Sequence, residues 1–218
     1  MVENMEEVRR CRGRPQVRSD DATHRLIIEA AAVEFQANGY AGAGMEAVAR
    51  RAGISTKTLY RLVPTKADLL KSVVSDRSGR FILAIDEQVV GPLDLASALE
   101  RILVAYGSLT LNEEVIAMNR LVLAECDRFP EIAMAFYEGA ILPTTEAMAD
   151  WLERQRRRGL IALDDPLLAA GMLRGMMVME PQRAIMLGRR SAPEPDEIAV
   201  RAKICAALFL RGCRVENP

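Results

Sequence analysis

Apolar residues recur along this chain every three or four positions and seldom every two. Ile27, Ala31 and Phe35 stand at i, i+4 and i+8, a helical stripe over residues 23–38 that Asn38-Gly39 stops. Met45, Val48, Ala49 and Ala52 stand at i, i+3, i+4 and i+7, a short amphipathic helix closed by Gly53. A third helix begins at Ser55, whose hydroxyl can cap the first turn while Ile54 staples onto Leu59. Pro64 disfavours helical geometry at Val63, which limits this helix to about two turns. Thr65 caps a fourth helix, with Asp68 at N3 in a variant capping box, that runs to about residue 88.

The stretch VVGPL (89–93) is a loop, and beyond it the spacing predicts only helices: about 94–111, 112–128, 131–157, 165–188 and 195–212. Pro130 suits N1 of one of these, and Asp164 or Asp165 before Pro166 starts another. SAPEPDE (191–197) is a loop into the last helix, and Pro143 and Pro181 should kink the helices that contain them. Alternating β-branched runs are scarce, so the prediction is an all-α chain of about nine helices. A flexible basic arm (1–20) precedes a three-helix head (21–68) and a larger helical body (69–218).

Composition sharpens this division. Hydrophobic residues make up 50% of the 218 and aromatics 5%, as expected for an aliphatic core. The net charge is −1, but residues 1–80 carry 14 basic and 10 acidic groups, a net of +4, leaving −5 for the remainder. A basic N-terminal part beside an acidic body suits a partner of negative charge at the head. Cys11, Cys126, Cys205 and Cys213 are widely spaced without a C-x-x-C pair, which predicts free thiols in a reducing cytoplasm. The first ten residues lack a secretory apolar core. The longest apolar stretch, near GMLRGMMVME, is interrupted by Arg174 and Glu180, so no membrane span is expected.

Catalytic patterns are missing. The one histidine, His24, begins the first helix, which leaves no Ser-His-Asp or Cys-His device. No H-E-x-x-H, Walker A or zinc spacing occurs, and Gly42-Ala43-Gly44 has no preceding strand. No enzyme activity, cofactor or metal site is expected. Helices two and three, joined by Gly53-Ile54, instead form a helix-turn-helix pattern. On the third helix Leu59, Leu62 and Val63 share the side to be buried. Thr56, Lys57, Tyr60 and Arg61 share the opposite face, where hydrogen-bonding and cationic groups can meet a DNA groove.

These residues resemble the tetracycline-repressor (TetR) family of bacterial transcription regulators. The resemblance rests on Gly39-Tyr40, Ala52-Gly53-Ile54-Ser55, Thr58-Leu59-Tyr60 and Pro64-Thr65-Lys66, in order, within residues 23–72. NRLVLAECDRFPEIAMAFYE and DDPLLAAGMLRGMM, within 119–188, look like the AefR-like C-terminal domain of part of that family. The chain departs from the pattern at three places: Ala43-Gly44 replace a hydroxyl before helix two, Lys57 replaces a frequent Gly, and Leu62-Val63 replace an aromatic-rich pair.

The resemblance implies a homodimer, a palindromic double-stranded operator, repression, and release by a small, largely apolar effector. Thr56, Lys57 and Arg61 are then expected at base edges and Tyr60 and Lys66 at phosphates. Gly44, Ser55 and Thr58 complete the DNA-facing set. In the arm, Arg12-Gly13-Arg14-Pro15 resembles an AT-hook core for a narrow minor groove; the other reading is a basic tail adding only electrostatic affinity. Expected effector contacts are Tyr106, Met118, Met134, Phe136, Tyr137, Met172, Met176 and Met179, with Trp151 left to packing. Met172, Met176 and Met179 share one helix side; flexible thioethers suit an irregular apolar ligand, although such a stripe is more often plain core or dimer interface. Arg174 could pair an effector carboxylate or Glu180. Ile198, Ile204, Cys205, Leu208 and Phe209 give the last helix an apolar side for dimerisation. The rival readings are a DNA organiser without sequence preference and a helical interaction scaffold.

Overall fold

In the computed structural model, Ser19 Oγ accepts from the Ala22 N–H at 3.2 Å and starts α1 (Asp20–Gly42) three residues ahead of the predicted stripe. The structure describes residues 18–213, and their regular structure is entirely helical. Cys11, Arg12 and Arg14 lie outside the described residues. Gly39 breaks α1 with φ 68° and ψ −178°, a conformation open in practice only to glycine, and one more turn follows. α2 (Met45–Ala52) ends at left-handed Gly53, and α3 (Thr56–Leu62) begins where Ser55 Oγ accepts from the Thr58 N–H at 3.1 Å. Thr65 Oγ1 accepts from the Asp68 N–H at 3.0 Å to start α4 (Lys66–Ala84). Helix α4 stops four residues before the predicted end, and a separate turn, α5 (Glu87–Val90), follows.

The body comprises α6 (Leu95–Thr110), α7 (Glu113–Glu125), α8 (Pro130–Phe136), α9 (Leu142–Arg157), α10 (Pro166–Met186) and α11 (Pro195–Gly212). Asp94, Asn112 and Asp165 cap α6, α7 and α10 through their side-chain oxygens. The single helix predicted over 131–157 is divided by a π-helical turn, Tyr137–Ile141.

Both prolines expected to kink helices open a bonding position. Pro143 has no N–H for the Gly139 carbonyl, and the Ser78 hydroxyl of α4 donates to that oxygen at 2.7 Å. Gly139 also lets α4 approach: a Cβ there would stand 2.6 Å from Val74 Cγ2. Pro181 leaves the Met177 carbonyl without its helical donor, yet α10 continues unbroken. Arg201 of α11 donates to the Met177 oxygen at 2.6 Å and to the Met176 oxygen at 2.9 Å, tying the last two helices together.

Two apolar clusters result. The head cluster joins Ile27, Phe35, Val48, Leu59, Val63 and Leu70 to Ile132 and Ala135 of α8, so the head core closes against the body. The body cluster surrounds Leu99, Ile102, Trp151, Leu173 and Met177. Helix α4 serves both, with Leu69, Leu70 and Val73 in the first and Phe81 in the second. Residue 68, the expected domain boundary, therefore falls inside a continuous helix.

Candidate nucleic-acid interface and effector cavity

Helix α3 is pinned from one side. Leu59 and Val63 are buried and Leu62 is half-buried, while Thr56, Lys57, Tyr60 and Arg61 are exposed. Thr56, Lys57 and Tyr60 make no side-chain hydrogen bond or ion pair among the described residues. Ser55 and Thr58 serve the cap, their hydroxyls 2.8 Å apart. Gly44 caps α2 through backbone alone.

Two expected DNA contacts are engaged within the protein. Arg61 grips Asp20 in a bidentate pair at 2.7 and 2.8 Å, and that hydrogen bonding holds the Asp20 carboxyl below its usual range. The pair is exposed, so DNA can compete for the guanidinium. Lys66 is placed differently from the phosphate contact expected of it. Its ammonium donates to the carbonyls of Tyr40 (2.8 Å), Ala43 (2.8 Å) and Ala41 (3.3 Å) and stands 4.9 Å from the Tyr40 ring centroid. Its three donors satisfy orphan carbonyls where α1 ends, and its charge complements the helix dipole.

Opposite Lys66, the Glu125 carboxylate at the end of α7 accepts from the N–H groups of Tyr40 (3.0 Å) and Ala41 (2.9 Å). This clamp joins head to body. Burial, aided by the Glu131 carboxylate, pushes the Tyr40 hydroxyl up to about 12. Asp20, Glu125 and Glu131 carry no local sequence signal, because their roles depend on contacts across the fold.

In the body, α4, α6, α7, α8 with the π turn, α9 and α10 enclose a cavity of about 280 Å³. Tyr106, Met118, Phe136, Arg174 and Met179 line it as expected. Met134, Tyr137 and Met172 do not: all three are exposed. Met176 packs between α10 and α11 beside Cys205. The actual α10 wall is Gly171, Arg174, Gly175, Val178, Met179 and Gln182, one helix face. The legible signal was Gly171 and Gly175, which vacate volume on either side of Arg174. Met118 and Arg77 also line a second crevice that reaches Phe35, Gly39 and Glu125 at the joint.

Arg174 does not meet Glu180, which instead faces Arg201 at 3.4 Å. Its Nε donates to the Tyr106 hydroxyl at 2.9 Å and Nη1 to Thr145 Oγ1, with the guanidinium 5.0 Å from the Tyr106 ring centroid. Burial raises the Tyr106 hydroxyl, against the opposing effect of Arg174.

On α11, Ile198 and Cys205 turn inward to the body core, which removes them from the expected partner-facing side. Ile204 and Leu208 are exposed, in line with exposed Val200 four residues earlier, and Phe209 is half-buried. Cys126 is half-buried, and Cys205 and Cys213 are buried free thiols. Among the described residues no acidic, histidine or cysteine cluster fits a metal, and no helix is long and apolar enough to cross a membrane.

The profile described as bacterial regulatory proteins, tetR family, matches residues 27–73, and that of the AefR-like transcriptional repressor C-terminal domain matches residues 97–212. The fold is similar to a protein of Mesorhizobium loti assigned to the TetR-family transcriptional regulators, 27% identical, covering 91% of this chain and 100% of that one with TM-score 0.76. It is similar to the flavonoid-responsive regulator FrrA, 26% identical, covering 90% and 100%, with TM-score 0.71. The transcriptional regulator FadR of Bacillus subtilis, solved in complex with stearoyl-CoA, shares the fold at 20% identity, covering 88% and 100%, with TM-score 0.67. A comparison with curated proteins returned no match. These family models and the matching fold show that the chain belongs to the TetR family of bacterial transcription regulators, with a helix-turn-helix head and an AefR-like C-terminal domain.

Proposed function

We propose that this regulator represses transcription by binding a palindromic operator as a homodimer and leaves it when a small, largely apolar effector occupies the body cavity. One observation carries the reading: the outward face of α3 presents Thr56, Lys57 and Tyr60 without protein partners, while Leu59 and Val63 fix the helix from behind. Thr56, Lys57 and Arg61 approach base edges, and Tyr60 meets phosphate. Arg12 and Arg14 extend the interface toward the minor groove. A second copy covers the exposed apolar residues of α10 and α11, including Leu168, Met172, Val200, Ile204 and Leu208. The likeness to a flavonoid-responsive regulator supports ligand control.

Effector entry displaces α4 and α7, whose residues Val74, Ser78, Val115 and Met118 line the cavity. The Glu125 clamp passes that displacement to the end of α1, and the DNA-competent population falls. Selection of bound sequences from random DNA tests the core of this reading. The expected product is a palindrome with half-sites about one helical turn apart or slightly more. Recovery of unenriched DNA, bound with little preference over competitor, would instead identify a DNA organiser.

A further inference from the structure

The charge inside the cavity narrows the effector class. Two arginines border the hollow. Arg77 is paired with Glu114 at 2.6 Å, whereas Arg174 faces no carboxylate among the described residues. Two of its five N–H groups are used, on Tyr106 and Thr145, and three have no protein acceptor. The nearby hydroxyls of Thr144 and Thr145 donate into backbone carbonyls at 2.8 and 2.6 Å. Tyr106 accepts from Arg174 and keeps its own O–H to donate. Around this polar end the walls are apolar: Val115, Met118, Phe136, Ile141, Val178 and Met179. A half-buried cation without a counter-charge is costly unless a ligand supplies one.

Resting on the reading of this cavity as the effector site, we propose that the effector is an amphipathic monocarboxylate, its acid group held by Arg174 and Tyr106 and its apolar body on the Met118–Phe136 side. The volume of about 280 Å³ lies at the lower edge of the range of about 300–1,000 Å³ for small-molecule pockets, which suits a small ligand. A two-oxygen anion answers the free edge of the guanidinium in the bidentate geometry arginine favours. A neutral amide of equal size leaves the charge unanswered and places an N–H₂ group against donors.

Isothermal titration calorimetry on the full chain compares octanoate with octanamide. The wild type is expected to bind octanoate about tenfold to a hundredfold more tightly. Arg174→Gln should reduce octanoate to the level of the amide, and Arg174→Lys, which keeps the charge, should retain part of the discrimination. Gly175→Leu, projecting into the open space beside Gly175, should abolish both ligands. Equal affinities for acid and amide, both lost in Gly175→Leu, overturn the anion proposal and leave the cavity as effector site. Octanoate binding that survives Gly175→Leu overturns the cavity reading with it. Absence of binding by either compound overturns the proposed ligand class.

Discussion

The head and the body each hold a half-buried cation, and the two are treated differently. Lys66 in the head gives all three donors to carbonyls at the end of α1. Arg174 in the body gives two of five to neutral hydroxyls and leaves the rest toward a hollow. The first cation completes a backbone turn; the second waits on a partner from outside the chain. The surrounding cores follow suit. The head cluster closes on α8, whereas six elements of the body stand apart around about 280 Å³. What separates a structural cation from a ligand-binding one is therefore the number of donors already answered, not burial.

Substitutions can break this contrast. Lys66→Met should have the largest effect, about 3 kcal/mol of lost stability, because three carbonyls lose a charged donor. Thermal unfolding checks it; an unchanged midpoint would return Lys66 to the role of phosphate contact. Gly39→Ala should cost about 2 kcal/mol, since φ 68° with ψ −178° excludes a side chain and the new Cβ would stand 2.8 Å from Glu125 Oε1. In the body the sign reverses. Gly175→Ala meets nothing within 4 Å and should stabilise the chain by about 0.5–1 kcal/mol in denaturant titrations, while weakening ligand binding.

Two smaller effects concern titration and the exposed pair. The Tyr40 hydroxyl, raised to about 12 by burial and Glu131, contributes stability that is complete below about pH 10. That contribution is lost as pH rises toward 12, because the folded state holds the proton longer than the unfolded chain. Alkaline unfolding should therefore be steeper in the wild type than in Tyr40→Phe; superimposable curves would remove Tyr40 from the account. Asp20→Asn should leave thermal stability unchanged, as its pair with Arg61 is exposed. By freeing Arg61 and removing a negative charge, it should raise DNA affinity at low salt by about twofold to tenfold.

Much of the head was legible because its signals are local. Ser55 and Thr65 cap the helices that follow them, Gly53 turns left-handed, and Pro64 ends α3. The joint was not legible, since Lys66 meets Tyr40, Ala41 and Ala43 between 23 and 26 residues away, and Glu125 meets Tyr40 85 residues away. The consequences of Pro143 and Pro181 were half legible. Sequence locates the missing N–H, but not the donors from Ser78 and Arg201 that compensate. The methionine stripe misled for a related reason. Spacing groups Met172, Met176 and Met179 on one side of α10, yet only Met179 reaches the hollow, whose α10 wall centres on Arg174 and the two glycines, while Met172 is exposed and Met176 faces α11.

Lys57 offers the most direct test of the claim that α3 reads DNA from its exposed face. Wild type and Lys57→Ala would be compared by fluorescence anisotropy on the duplex selected from random DNA and on an unrelated duplex, across a salt series. Lys57→Ala should unfold at the wild-type temperature, bind the selected duplex about tenfold more weakly, and show altered base preference at the affected position. Unchanged affinity and unchanged preference would contradict the assignment of this face to DNA.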